Sequence, residues 1–302
     1  MEGSLTTGTW VLPSETYSAR ITGACLCGAV RWSYDAPFSA MIHCHCDFCR
    51  KHHGSLFATA VIGPLDSFHW RAGTEKVATW LSSLDKRRGF CSVCGSKVPR
   101  VDHEAQRVFM SAGGLEGDLG LKPQLRIFVA SKPAWQEVHD ALPRHDAWPP
   151  GWDRPLFPLP ERPVRAGVVA GSCGCGKVRY ELDGRPMVMR HCHCNRCRRA
   201  RGTAHATNLA YPLEALKYVA GEELVAVFKL PEAEHFGQSF CRDCGGAVPH
   251  RSLGRGFVVV PAGTLDADPG IHPSAHAFVE DKLPWFEIMD GVPQYPGPAP
   301  AL

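Results

Sequence analysis

Apolar residues in this chain alternate with polar ones far more often than they recur every three or four positions. Val30, Trp32 and Tyr34 take every second place, and Val178, Tyr180 and Leu182 do so again, which is the period of a strand with one buried face. The same pattern predicts strands over residues 56–62, 76–81, 107–111 and 125–129, and a second set over 205–211, 224–230, 256–260 and 275–279. Helical signals are confined to two short turns, residues 48–53 and 196–201. The expected fold class is mainly β, made of small antiparallel sheets with few short helices.

The two sets of strands are one set repeated, and the repeat decides the organisation. Gly23, Cys25, Cys27, Gly28, Val30 and Arg31 return 148 positions later as Gly171, Cys173, Cys175, Gly176, Val178 and Arg179. At the same offset His43, Cys44, His45, Cys46, Cys49 and Arg50 return as His191, Cys192, His193, Cys194, Cys197 and Arg198. Phe90, Cys91, Cys94 and Gly95 return as Phe240, Cys241, Cys244 and Gly245, now 150 positions later, which predicts two extra residues near 231–237. Trp135 matches Trp285 and Asp140 matches Asp290.

Between the copies stand Pro149, Pro150, Pro155, Pro158, Pro160 and Pro163, a density that favours extended, semi-rigid backbone. The expected organisation is an N-terminal extension (residues 1–19), a first domain (20–147), a proline-rich linker (148–165), a second domain (166–295) and a tail (296–302). The tail and much of the extension are expected to be disordered. Small duplicated domains gain by burying an apolar face, so the copies are expected to pack as a pseudo-dimer.

Composition adds a compartment and removes some partners. Residues 1–17 carry neither a basic start nor an apolar run, so no export signal is read there and a cytoplasmic, reducing location is expected. No stretch approaches the roughly 18 apolar residues of a membrane span. Net charge is only +3, without a polybasic footprint, so neither nucleic acid nor a membrane surface is an expected partner.

The chemistry lies in the fourteen cysteines. In a reducing compartment clustered thiols point to metal ligands, and seven per copy counts against complete pairing as disulfides. They divide as Cys-x-Cys, Cys-x-Cys-x-x-Cys and Cys-x-x-Cys. Zinc takes four ligands in structural sites, but three plus an exchangeable position in catalytic ones. Cys25 and Cys27 with Cys91 and Cys94 make one closed site, since Gly95 can take the positive φ of a metal knuckle. Cys44, Cys46 and Cys49 wrap a second ion and leave its fourth position open. In copy two Cys173, Cys175, Cys241 and Cys244 are the closed set, and Cys192, Cys194 and Cys197 the open one. Four zinc ions per chain are expected, two structural and two open. The triplets admit other readings: a second structural zinc closed by a nearby residue, an empty site, or an iron–sulfur cluster with one free iron.

These motifs resemble the glutathione-dependent formaldehyde-activating enzyme family and its centromere protein V relatives. The likeness is carried by Gly-x-Cys-x-Cys-Gly-x-Val-Arg, His-Cys-His-Cys-x-x-Cys-Arg, Phe-Cys-x-x-Cys-Gly, and the Asp-Gly-Val-Pro-Gln-Tyr ending at 290–295. It spans nearly the whole of both copies. The resemblance implies a β-tent fold, a structural zinc on the outer cysteine pairs, a catalytic zinc on the middle triplet, and glutathione and formaldehyde as the thiol and aldehyde. Two departures stand out. Family members are mostly single domains, and copy one carries Arg126 where copy two has the more family-like His276, with Ala141, Leu142, Pro143 and Arg144 replacing the Gly-Val-Pro-Gln ending. Copy two is therefore the better candidate for retained activity.

The functional expectation is a zinc-dependent carbon–sulfur lyase or synthase acting on thiol–aldehyde adducts such as S-hydroxymethylglutathione. The alternative is a non-enzymatic zinc scaffold or thiol carrier that binds a protein or chromatin partner. Arg50 and Arg198 are expected contacts to an acidic thiol, although with Lys51 and Arg199 they also read as a solvated helical face. His43, His45, His191 and His193 are expected to face away from the ions. Trp135 and Trp285 are expected core residues.

Overall fold

The computed structural model describes residues 20–35, 37–83, 86–152, 162, 165 and 167–300. The N-terminal extension and most of the linker lie outside them. Among the described residues there are two α-helices, α1 (Asp47–His53) and α2 (Asn195–Arg201), each closed by a glycine in the left-handed region, Gly54 at φ 64° and Gly202 at φ 65°. None is long and apolar enough to cross a membrane.

Apart from single-turn 3-10 helices, everything else of regular form among the described residues is strand. In copy one Leu115–Glu116, Ile21–Ala24, Arg31–Tyr34 and Phe68–Ala72 make a four-stranded sheet, and Val77–Ser83, Lys86–Cys91 and Lys97–Val98 a three-stranded one. The largest sheet runs Arg144–His145, Leu125–Ile127, Ala40–Cys44, Ala58–Pro64, Arg107–Ser111, Arg100–Asp102. Copy two repeats this six-strand order with Gln294–Tyr295, His276–Ala277, Val188–Cys192, Ala206–Pro212, Phe257–Pro261 and His250–Ser252. The mainly β reading holds, with most pairs antiparallel. The departure is at one edge of each six-stranded sheet, where Leu125–Ile127 and His276–Ala277 pair parallel with both neighbours. These strands arrive by long crossovers rather than hairpins, and only a crossover permits parallel pairing. The two extra residues of copy two fall in a hairpin loop: Val77 pairs with Cys91, whereas Val225 pairs with Cys241.

One apolar core runs through both copies. Trp32, Tyr34, Met41, Val61 and Trp135 belong to the same buried cluster as Tyr180, Met189, Tyr211, Val258 and Trp285, so the two tryptophans are core residues, as the sequence led one to expect. Around the two short helices the contacts that join the copies come in matched pairs. Arg50 donates to Gly263 O and Arg198 to Gly113 O. Lys51 pairs with Asp266 at 2.6 Å, and Arg199 with Glu116 at 2.6 Å. Ser55 Oγ donates to His205 O, and Thr203 Oγ1 to Phe57 O. Phe90 meets Phe240 edge to face, with ring centroids 6.4 Å apart.

Arg50, Lys51, Arg198 and Arg199 therefore form neither a substrate contact nor a solvated face. Each short helix is pressed against the single-turn 3-10 helix of the other copy, Ala262–Thr264 or Ala112–Gly114, and carbonyls buried there need donors. Arg50, Lys51 and Arg198 supply them, and Arg199 pairs with the Glu116 carboxylate.

The ends of the repeats also differ from expectation. Phe128 N–H donates to Ala147 O, in the last residue of the expected first domain, and Phe278 N–H to Gly297 O, two residues past the expected end of the second. Trp148 packs edge-on against Phe128 at 4.7 Å, and Arg190 donates to Pro300 O. The first linker residues and the described part of the tail are walls of the fold.

The close fit of α1 and α2 against the opposite turn yields a test. A Cβ on Gly263 would overlap the backbone of Ser55 and Arg50, and one on Gly113 the backbone of Thr203 and Arg198, whereas Gly254 faces open space. Gly263→Ala and Gly113→Ala are each expected to lower stability by about 1–3 kcal/mol, and Gly254→Ala to stay within about 0.5 kcal/mol. Thermal unfolding of the three variants checks this; equal stability of all three would mean that the copies can separate without cost.

Candidate metal centres

Each outer cysteine pair sits where a strand ends and a glycine turns the chain back. Ile21–Ala24 delivers Cys25, and Gly28 follows at φ 70°; Lys86–Cys91 delivers Cys91, and Gly95 follows at φ 73°. These turns aim backbone amides at sulfur. Val30 N–H donates to Cys25 Sγ at 3.2 Å, Val178 N–H to Cys173 Sγ at 3.3 Å, and Gly246 N–H to Cys244 Sγ at 3.4 Å.

The fold brings Cys25, Cys27, Cys91 and Cys94 together, and likewise Cys173, Cys175, Cys241 and Cys244, all sulfurs of a set within 4.8 Å of one another. Cys25 and Cys27 sulfurs are 3.5 Å apart, Cys27 and Cys91 3.9 Å; the matching separations in copy two are 3.4 and 3.9 Å. A disulfide needs about 2.05 Å, and all fourteen cysteines are free. Thiolates around a tetrahedral ion with bonds of about 2.3 Å stand roughly 3.8 Å apart, which these spacings bracket. Crowded thiols also oppose one another's ionisation. Hydrogen bonding among the four pushes Cys25 far up and pulls Cys94 far down, a conflict that a bound cation removes. The donor set fits a metal ion.

The middle triplets are built differently. Cys44 closes the strand Ala40–Cys44, Cys46 caps α1 with its sulfur accepting from Cys49 N–H at 3.4 Å, and Cys49 lies in the first turn. Cys192, Cys194 and Cys197 repeat this on Val188–Cys192 and α2. In each copy the three sulfurs lie within 4.8 Å, and among the described residues no histidine or fourth cysteine joins the group. The nearby histidines are engaged elsewhere: His43 with Thr59, His45 with Arg126, His191 with Thr207 and His193 with His276. Burial, the largest cause, pushes His45, His191 and His193 down to about 3, so they are neutral near pH 7.

Both triplets face cavities. Copy one's, about 390 Å³, is lined by Cys44, Cys46 and Cys49 with Lys86, Arg88 and Trp148. Copy two's, about 550 Å³, is lined by Cys192 and Cys197 with Arg201, His250, Phe278 and Pro298. Both volumes suit a small ligand. Arg50 and Arg198 line neither cavity.

The cation that does meet the triplet is Arg88, which the sequence reading missed. Its Nη1 donates to Cys49 Sγ at 3.5 Å. Hydrogen bonds from Cys44 and Cys46 pull Cys49 well below the ordinary thiol range, and the Arg88 charge pulls it further. The available signal was the basic run Lys86, Arg87, Arg88, which ends three residues before Cys91. Copy two has Gln238 at this place, and its amide donates to Cys94 O across the interface. Nor do the residues that favoured copy two on sequence lie beside its triplet: His276, and Val292 of the Gly-Val-Pro-Gln ending, line a separate cleft of about 250 Å³ between the copies.

Residues 20–131 and 168–281 each match the family described as glutathione-dependent formaldehyde-activating enzyme. No curated protein matches the chain. A crystal structure of a Rhodobacter sphaeroides protein is similar at 26% identity, over 42% of this chain and 99% of that one, with a TM-score of 0.29.

The two kinds of cluster are expected to respond differently to loss of one ligand. Cys175 and Cys241 are 66 positions apart, so an ion on that tetrad closes a long loop, and its binding energy, on the order of ten kcal/mol, is folding energy. Cys192 and Cys197 are close neighbours, and an ion there orders a local turn. Cys175→Ser should unfold or aggregate the protein; Cys194→Ser should lose at most one metal ion with only a modest shift in melting temperature. Thermal unfolding with parallel elemental analysis measures both, and equal collapse would make the triplet structural.

Proposed function

The chain belongs to the glutathione-dependent formaldehyde-activating enzyme family, and from that premise we propose that its three-cysteine clusters are open zinc sites at which a thiol adds to an aldehyde. The observation that carries the reading is the contrast within each copy: a sealed four-sulfur set, and a three-sulfur set facing a cavity. Zinc on three thiolates, when bound, lowers the pKa of a thiol at its fourth position and keeps it as the nucleophilic thiolate.

The chain's own residues do the rest. Cys44, Cys46 and Cys49 hold their sulfurs on one side of the cavity, and Cys192 and Cys197 do the same in copy two. Arg88 donates to Cys49 and tempers its charge, so less electron density is left to repel an incoming sulfur. Lys86 and Arg88 give the copy-one cavity a positive wall that suits the carboxylates of glutathione, and Trp148 gives it an apolar one. The thiolate sulfur attacks the aldehyde carbon, the carbon–sulfur bond forms as the carbonyl π bond opens, and the alkoxide recovers the proton that the thiol gave up. The product is a hemithioacetal, S-hydroxymethylglutathione when the aldehyde is formaldehyde, and the reverse path is carbon–sulfur cleavage.

On this reading copy one, not copy two, is the better site for an acidic thiol, because Gln238 replaces Arg88 there. The chain holds four zinc ions, two on tetrads and two on triplets, and the matched contacts make it a built-in dimer. Free thiols throughout suit a reducing compartment such as the cytoplasm.

The test is exchange NMR of labelled formaldehyde with glutathione, with zinc counted by elemental analysis. Zinc-loaded protein is expected to hold four ions and to speed interconversion of free and adduct formaldehyde. Cys46→Ser should remove most of the copy-one contribution. Arg88→Gln should weaken glutathione binding about tenfold, or about 1.4 kcal/mol, with zinc content unchanged. Glutathione binding with no acceleration would make the protein a thiol carrier, and no glutathione binding would remove the reading.

A further inference from the structure

The cleft between the copies holds a second kind of donor cluster. His191 lies on Val188–Cys192, His276 sits directly beside it on the parallel strand His276–Ala277, and Asp290 stands just before the edge strand Gln294–Tyr295. Ligand atoms of the three lie within 4.8 Å of one another. His276 Nε2 is 2.9 Å from Asp290 Oδ2 and 3.1 Å from Oδ1, and His191 Nε2 is 3.9 Å from Oδ2.

The other nitrogen of each ring is already fixed. His191 Nδ1 bonds Thr207 Oγ1 at 2.9 Å, and His276 Nδ1 bonds His193 Nε2 at 2.8 Å. Ligating histidines are ordinarily held in this way, one nitrogen tied to a neighbour and the other turned to the ion. Val292 N–H donates to Asp290 Oδ1 at 3.1 Å and holds the carboxylate in place. All three side chains line the inter-copy cleft.

Copy one keeps this frame with one ligand exchanged. His43 Nδ1 bonds Thr59 Oγ1 at 3.0 Å, as His191 bonds Thr207, and Leu142 N–H holds Asp140 as Val292 holds Asp290. In place of His276, however, copy one has Arg126. Its guanidinium spans Asp140, at 3.0 and 3.1 Å from Nε, and His45 Nε2, at 2.9 Å from Nη1. Arg126 thus bridges His45 and Asp140 in copy one, where in copy two the His276 imidazole, itself a metal-ligating group, bridges His193 and Asp290.

We propose that His191, His276 and Asp290 bind a divalent first-row transition-metal ion, a site distinct from the cysteine clusters and present in copy two alone. Two imidazoles and one carboxylate suit Zn²⁺, Co²⁺, Ni²⁺ or Fe²⁺ better than Mg²⁺ or Ca²⁺. The remaining coordination positions face the cleft, so the ion is exchangeable and open to small ligands. Arg126 borders the same cleft, but its charge is taken up by Asp140.

The experiment titrates Co²⁺ into full-length protein holding four equivalents of zinc, which the thiolate sites take first, with any zinc beyond four removed, followed by calorimetry and visible absorption. Wild-type protein is expected to take up one Co²⁺ per chain with weak d–d bands and no sulfur-to-cobalt charge transfer. His276→Arg, which installs the residue copy one uses, should abolish that uptake, and Asp290→Asn should weaken it at least tenfold. Unchanged zinc content and far-ultraviolet circular dichroism report that each variant is folded; should one variant fail this check, the other carries the comparison. No uptake by the wild type overturns the proposal. So does uptake that shows thiolate charge transfer, or uptake that both variants retain.

Discussion

The structure depends on carbonyl groups that one copy cannot satisfy by itself. The turn Ala262–Thr264 buries the carbonyls of Gly263 and Thr264, and the donors that meet them, Arg50 and Lys51, come from the other copy. Arg198 does the same for Gly113. A buried carbonyl without a partner costs about 1–3 kcal/mol, and a buried cation left alone costs more. Separating the copies would create both at once. The glycines at these turns follow from the same constraint, since only a residue without a Cβ lets the helix backbone come so close.

The basic side chains of α1 are committed to the other copy, while Cys46 at its cap and Cys49 in its first turn line the cavity of copy one. The tetrads are tied into the same contact. His52 bonds Cys244 O, Gln238 donates to Cys94 O, and Lys97 bridges Gly95 O and Gly245 O at 2.7 and 2.5 Å. The knuckle of each closed set is thus held partly by the opposite copy, so loss of either tetrad is felt by both.

The cysteine grouping was legible in the sequence because ligand spacing is a local property and the repeat displays it twice. The long strands were legible too: Arg107–Ser111 has the predicted bounds, and Ala58–Pro64 and Ala206–Pro212 are shifted by two residues or fewer. Ile21–Ala24 was missed because Ile-Thr-Gly-Ala holds one large apolar side chain and no alternation, and Phe68–Ala72 was missed although Phe68, Trp70 and Ala72 do alternate with polar residues. The roles of Arg50 and Arg198 were misread for a different reason. A basic residue beside a metal motif looks alike whether it faces substrate or a partner carbonyl, and only the tertiary fold distinguishes them. The tail looked disordered because proline and alanine carry no periodicity, yet one backbone hydrogen bond to Gly297 lays it along the cavity.

Duplication explains why the copies differ where they do. The pairs that hold the halves together keep their character: Lys51 with Asp266 answers Arg199 with Glu116, and Ser55 answers Thr203. Differences collect where a side chain faces a cavity. Arg88 against Gln238 changes the charge beside a thiolate cluster, and Arg126 against His276 exchanges a fixed cation for a ligand. A single-domain relative that assembled from two identical chains would carry any such change twice. In a fused chain one copy can alter its cavity while the other keeps the shared core and the matched contacts intact. The matched contacts around the two short helices are therefore common property, while the cavity residues, and His52, Lys97 and Gln238 that reach across the interface without a counterpart, belong to one copy each.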